Sequence, residues 1–196
     1  MMTAMTLSLP VATEANELLT RNPLALLIGM LLDQQVPFEK AFSSPYELVG
    51  RLGHEPTAAE LAEFDPDALA DIFAARPALH RFPRAMAART QDMARLIADR
   101  YDGDAAAIWT GAATGRELVA RLAELPGFGG AKAQIFAALL GKQLGVRPAG
   151  WQEAAGRYGE DGSHCSIADI TDAASLAAVR AYKKELKAAA RATNVR

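Results

Sequence analysis

The most apolar stretch of the chain follows Pro23, where LALLIGMLL runs to Asp33 without a polar side chain and without a preferred apolar face. A helix that is apolar all round belongs at the centre of a core, and this one is too short to cross a membrane. Elsewhere apolar residues recur at helical spacing with charged residues between them, and the two-residue alternation of a half-buried strand is absent. Several helix starts are written in capping chemistry: Ser44-Pro45-Tyr46-Glu47, Thr57-Ala58-Ala59-Glu60, Asp65-Pro66 and Thr114-Gly115-Arg116-Glu117. The pattern predicts an all-α chain with helices at 12–20, 24–35, 45–52, 57–63, 66–75, 84–100, 114–124, 130–143, 150–157 and 173–191, and a loop over 158–168. No internal repeat, low-complexity tract or linker interrupts it.

Residues 122–136, LAELPGFGGAKAQIF, carry the most specific signal. An amphipathic lead-in, a Leu-Pro-Gly-Phe-Gly turn and a second apolar helix make the pattern of a helix-hairpin-helix. Gly127 and Gly129 allow a tight turn that leaves backbone amides beside the N-terminus of the following helix. Such amides, with the positive end of a helix dipole, bind phosphate without reading base sequence. The alternative is an αα-corner that uses glycine only for its turn.

Composition narrows the class. At 196 residues the chain can bury a sizeable core without staples. Its single cysteine, Cys165, forms no internal disulfide and cannot supply a four-thiolate iron–sulfur site. The first residues lack the basic and apolar regions of a signal peptide, so a cytoplasmic location is expected, with nucleoid association if the source is bacterial. The net charge of −2 hides an asymmetry: residues 1–75 carry three Lys/Arg against eleven Asp/Glu, and residues 76–196 carry eighteen against twelve. The hairpin lies in the basic part. One basic side is enough to hold DNA on an acidic chain, although each charge taken singly also reads as a solvated helix face.

With the hairpin at 122–136 and Leu31-Leu32-Asp33-Gln34-Gln35-Val36 closing the apolar helix, the chain resembles the helix-hairpin-helix-GPD superfamily of base-excision DNA glycosylases. The resemblance covers roughly residues 20–155. It implies a two-lobed helical fold: a six-helix block over 22–143 containing the hairpin at about 118–136, and a second lobe from 1–21 plus 144–196. Double-stranded DNA would cross the cleft between them. It further implies Gln35, with Gln34 beside it, as the side chain that fills the gap left by a flipped base, and Pro126, Gly127, Phe128, Gly129, Gly130 and Lys132 as DNA contacts. A monovalent cation at the hairpin carbonyls is compatible with it, and no other cofactor is. A polar cap at the end of a buried helix is the alternative for both glutamines.

The chemistry departs from the family at two places. Bifunctional members carry a lyase lysine two residues after the second hairpin glycine, which here is Ala131; Lys132 is one position late. One position is about 100° of helix rotation, so Lys132 is expected to turn away from the pocket that position 131 faces, as a phosphate-facing or surface lysine, with neither the reach nor the lowered pKa that a Schiff base needs. Family members also place an aspartate roughly 18–20 residues beyond the lysine position, to stabilise charge on the sugar or activate water. Here that window is Ala149, Gly150 and Trp151. Glu153 is the favoured replacement and Asp33 the next, with Asp169 farther along; helix-end charges are the alternative for each. Trp151 either stacks on an extruded base or plugs the vacant pocket. His54, His80 and His164 have no partners at metal-ligand spacing, and no metal is expected.

Three functions compete on this reading. The first is a monofunctional DNA N-glycosylase, without lyase activity, acting through a displaced carboxylate. The second is a catalytically silent DNA-binding relative, and the third a helical protein-interaction module. A monomer is the default, with no membrane partner, and the base removed is not legible.

Overall fold

In a computed structural model, residues 5–193 are described, and among them the chain is all-helical with no strand. Eleven α-helices follow in order: α1 Thr13–Arg21, α2 Pro23–Leu32, α3 Phe38–Leu52, α4 Ala58–Glu63, α5 Pro66–Ala74, α6 Pro83–Tyr101, α7 Ala107–Thr110, α8 Gly115–Ala123, α9 Gly130–Gln143, α10 Trp151–Ala155 and α11 Ala173–Thr193. Short 3₁₀ turns at Gly156–Tyr158 and Ile167–Asp169 fall at the edges of the expected loop.

The apolar run is the central helix. Every residue of α2 from Leu24 to Leu32 is buried, against α1, α3 and α6. Full burial of a leucine such as Leu27 or Leu32 is worth roughly 1.5–3 kcal/mol. Gly29 lets α3 approach: a Cβ there would stand 2.8 Å from the Phe42 ring. Helices α4 and α5 pack on α6, and α8 and α10 pack on α9. Gln143, near the end of α9, gathers distant segments by accepting from the Ser8 amide and donating to the carbonyls of Ala168 and Ile170. Helix α1 lies on α2 and α3, and α11 reaches α3 through an Arg180–Glu39 ion pair.

Three of the four cap readings match the structure. Thr57, Asp65 and Thr114 each accept from the amide three residues on, at 3.1, 2.8 and 3.1 Å. Ser44-Pro45 does not start a helix. Ser44 Oγ lies 2.7 Å from the Lys40 carbonyl and 2.6 Å from the Leu79 carbonyl, so the buried hydroxyl serves the helix interior and Pro45 sits inside α3. Pro37, extended at φ −61° and ψ 151°, is the residue that opens α3. The end of α2 moves correspondingly, from the expected 35 to Leu32. A proline at 37 disfavours helical backbone at 36, and Gln35 is already left-handed at φ 56°. The single turn α7 was not expected from the sequence. Helix α10 stops at Ala155, ahead of the expected 157, because Gly156 at φ 59° breaks it into a 3₁₀ turn.

Candidate functional site

The turn between α8 and α9 is built on Leu122, Leu125 and Phe128, all buried, with the Phe128 amide donating to the Leu125 carbonyl at 2.9 Å. Its glycines divide by role. Gly127 has φ 82°, and a Cβ on it would stand 2.4 Å from Leu31 Cδ1, so this glycine lets the turn close against the end of α2. Gly129 and Gly130 have open space where a Cβ would be, and Pro126 is half-buried beside them. No side chain caps α9, whose N-cap is Gly129. The first amides of α9 therefore face open surface at the positive end of a helix dipole.

Lys132 lies in that first turn and leaves it sideways. Ala131 is exposed, while the Lys132 Nζ donates to the carbonyls of Met30 at 2.8 Å, Asp33 at 3.2 Å and Leu31 at 3.3 Å. The expectation of a lysine turned away from the pocket, onto phosphate or solvent, is corrected: it is Ala131 that faces solvent and Lys132 that turns inward onto the end of α2. The expectation of an ordinary lysine pKa needs correction: burial lowers Lys132 to about 8, with Arg89 and Lys183 pushing the same way and Asp33 opposing.

The end of α2 is held from three sides. The Gln34 side chain donates to the Leu31 carbonyl at 2.8 Å and accepts from Arg89 at 3.1 Å. The Gln34 carbonyl accepts from His80 Nε2 at 3.0 Å, and His80 Nδ1 accepts from the Phe82 amide at 3.0 Å. Those two bonds require the neutral His80 tautomer with its proton on Nε2, and burial lowers the His80 pKa accordingly. Gln34 is thus tied at both ends of its side chain. Gln35 is its opposite: exposed, left-handed, and without a side-chain partner among the described residues. Phe82, 43% exposed, stands next to this turn with the Arg81 guanidinium 5.2 Å from its ring centroid.

Asp33 lies just behind the turn. Its carboxylate has no hydrogen-bond or ion-pair partner among the described residues, yet its oxygens are not sealed from solvent. Burial raises its pKa, against the pull of Lys183 and Lys132. Lys183 comes from α11 and rests 3.9 Å from the Phe38 ring centroid; burial lowers its pKa, and Asp33 partly restores it.

The other acids stand apart. Glu153 is exposed in α10; its carbonyl accepts from the Gly156 amide, and its carboxylate has no hydrogen-bond or ion-pair partner among the described residues. Asp169 is buried and committed: it pairs with Lys142 at 2.6 Å and accepts from the Cys165 and Ser166 amides at 2.9 and 3.1 Å. Residues 149–151 pack on the start of α8, where the Gly115 amide donates to the Ala149 carbonyl at 2.8 Å. The Trp151 ring lies on Gly141, where a Cβ would stand 2.4 Å from it. An open cavity of about 720 Å³ is lined by residues that include Arg147, Trp151, His164, Thr171 and Asp172, with neither Lys132 nor Asp33 in its lining. Among the described residues no group of three His, Cys, Asp or Glu is arranged to hold a metal ion.

The structure therefore brings together Asp33, Gln34, Gln35, Gly127 and Lys132, and leaves Glu153 outside that group. Arg89, His80, Phe82 and Lys183 belong to it as well and were not singled out for it from the sequence. No family model, curated protein or solved structure matches this chain.

Proposed function

We propose that this chain is a double-stranded-DNA-binding protein of the base-excision-repair type, with the two-lobed helix-hairpin-helix-GPD fold that its motifs resemble. The observation that carries the reading is Gln35. A left-handed, non-glycine residue costs backbone energy and persists only where its surroundings over-determine it. Here Arg89, His80 and Lys132 fix the residues on its N-terminal side while its own side chain is left free. That is the construction of a wedge. Placed in a duplex, a free amide side chain can occupy the gap of an extruded base, and the exposed Phe82 ring can press on the neighbouring step.

The uncapped start of α9 supplies the complementary contact. Open amides at Gly129 and Gly130 suit a backbone phosphate, and Arg89, against Gly127, adds a cation beside the hairpin. The chemistry we assign is hydrolytic release of a base by a monofunctional N-glycosylase. Asp33 is its best-placed acid: without a hydrogen-bond partner, half-buried, and with its pKa raised by burial against the pull of Lys183 and Lys132. Lys132 has the lowered pKa of a nucleophilic lysine, but its amine is spent on three carbonyls.

One observation favours the second reading, a catalytically silent DNA binder. The loop where the family keeps its aspartate holds Ala149, Gly150 and Trp151, packed on Gly115 and Gly141 with no acid among them. Incubation with duplexes carrying uracil, alkylated, oxidised or deaminated bases, followed by abasic-site detection, separates the two. Base release supports the enzyme; duplex binding without release on any of them supports the silent binder; no duplex binding defeats both.

A further inference from the structure

Lys132 occupies an electrostatically awkward place that the fold turns to use. A cation in the first turn of α9 sits at the positive end of its own helix, where it is disfavoured. What compensates is the negative end of another helix, for the carbonyls of Met30 and Leu31 are among the last four of α2; each keeps a second lone pair for Lys132 beside its bond to the Asp33 amide or the Gln34 side chain. The third acceptor, the Asp33 carbonyl, lies past the helix at the residue immediately before Gln34-Gln35. One bond would fix a distance. Three bonds, to residues 30, 31 and 33, also fix the direction in which the backbone leaves α2. The amine is within 5.9 Å of the Phe128 ring centroid, so the same side chain is braced by the hairpin it comes from.

We propose that Lys132 is a positioning residue, a strut that holds the Gln35 turn in a fixed place relative to the glycine face of α9, so that base extrusion depends on it and duplex affinity does not. The proposal rests on the DNA-binding reading above. Phosphate contacts at Gly129 and Gly130 survive loss of the strut, because they belong to the backbone of α9. Gln35 does not stay in register, because the bonds from Arg89 and His80 reach Gln34 alone, whereas the strut ties residues 30, 31 and 33 to α9 itself and is the bond set that relates the turn to the glycine face. A displacement of about 1 Å is enough to lose productive geometry.

The test has one arm without DNA and one with it. In the first, spin labels are placed at Gln35→Cys and Gly130→Cys, with Cys165→Ser, and their dipolar interaction reports the separation. The expected result is a narrow distance distribution with Lys132 present and a broad one in Lys132→Met. In the second, duplex affinity is measured alongside the fluorescence of a 2-aminopurine base that brightens on unstacking. Lys132→Met is expected to bind within about twofold of the wild type while the fluorescence rise falls about tenfold. Lys132→Cys in the Cys165→Ser chain, aminoethylated to a lysine isostere, restores the rise. A narrow distribution or an undiminished rise in Lys132→Met overturns the strut. A wild type that binds no duplex overturns the DNA-binding reading instead, and the DNA-free distances tell the two failures apart.

Discussion

The Lys132 amine donates to the Asp33 carbonyl at 3.2 Å across 99 residues of chain. This contact joins the start of α9 to the end of α2, the two places where the sequence carries its most specific motifs. It also makes Lys132 a reporter of the seam, because burial there lowers its pKa from 10.5 to about 8.

Stability should depend on pH accordingly. Above pH 8 the folded chain releases the Lys132 proton, while the unfolded chain keeps it until about 10.4, so the unfolded state binds more protons in that window. Unfolding free energy should therefore rise with pH between about 8 and 10 relative to Lys132→Met, by at most about 3 kcal/mol. Denaturant titrations of both chains at pH 7, 8, 9 and 10 check this. A constant difference between them would place Lys132 in solvent.

The glycines of the hairpin should separate by experiment. Gly127→Ala adds a Cβ at φ 82° and 2.4 Å from Leu31 Cδ1, and should cost about 1–3 kcal/mol of stability. Gly130→Glu meets no atom, and a carboxylate in the first turn of a helix is favourable. It should leave thermal stability unchanged or slightly higher and weaken duplex binding about tenfold or more, since it sets a negative charge where a phosphate would sit. Equal affinity in Gly130→Glu would remove α9 from the interface.

For any lesion on which base release is found, the two acids should behave differently. Asp33→Asn keeps the shape, removes the charge and should slow release by about 10²-fold or more in single-turnover assays. Glu153→Gln, at an exposed position without partners, should act at nearly the wild-type rate. The reverse ranking would return Glu153 to the site.

The product should be an intact abasic site. Because three carbonyls hold the Lys132 amine, borohydride should trap no covalent protein–DNA adduct, and strand breaks should appear only after alkali or heat. An adduct lost in Lys132→Ala would show that the amine leaves those carbonyls on binding DNA.

The sequence was most legible where a single local rule applies. The all-apolar run after Pro23 could only be a central helix, and Thr57, Asp65 and Thr114 cap their helices because the side chain and its target amide are three residues apart. Ser44-Pro45 obeys the same local grammar and was misread, since what decides it is the Leu79 carbonyl, 35 residues away. Resemblance names the hairpin and the Gln35 turn separately, and says nothing of Gly127 closing on Leu31. The placing of Lys132 between them did not, because helix register gives a direction and says nothing of which helix end lies there. Glu153 is preferred in the sequence for its nearness along the chain to an expected position, and Asp33 only for lying near the expected mouth; in space, burial beside Lys132 and Lys183 distinguishes Asp33, while Glu153 is exposed.

Gln35 and the open start of α9 are proposed to face a DNA duplex. The most direct measurement is the affinity of the wild type and of Gln35→Ala for a duplex of unrelated sequence across a salt series. Binding should fall linearly on a log–log plot with a slope of several released counterions, and the slope should be unchanged in Gln35→Ala, whose loss is confined to duplexes with a flipped or missing base. Absence of binding by the wild type at low salt, or binding insensitive to salt, would contradict the account.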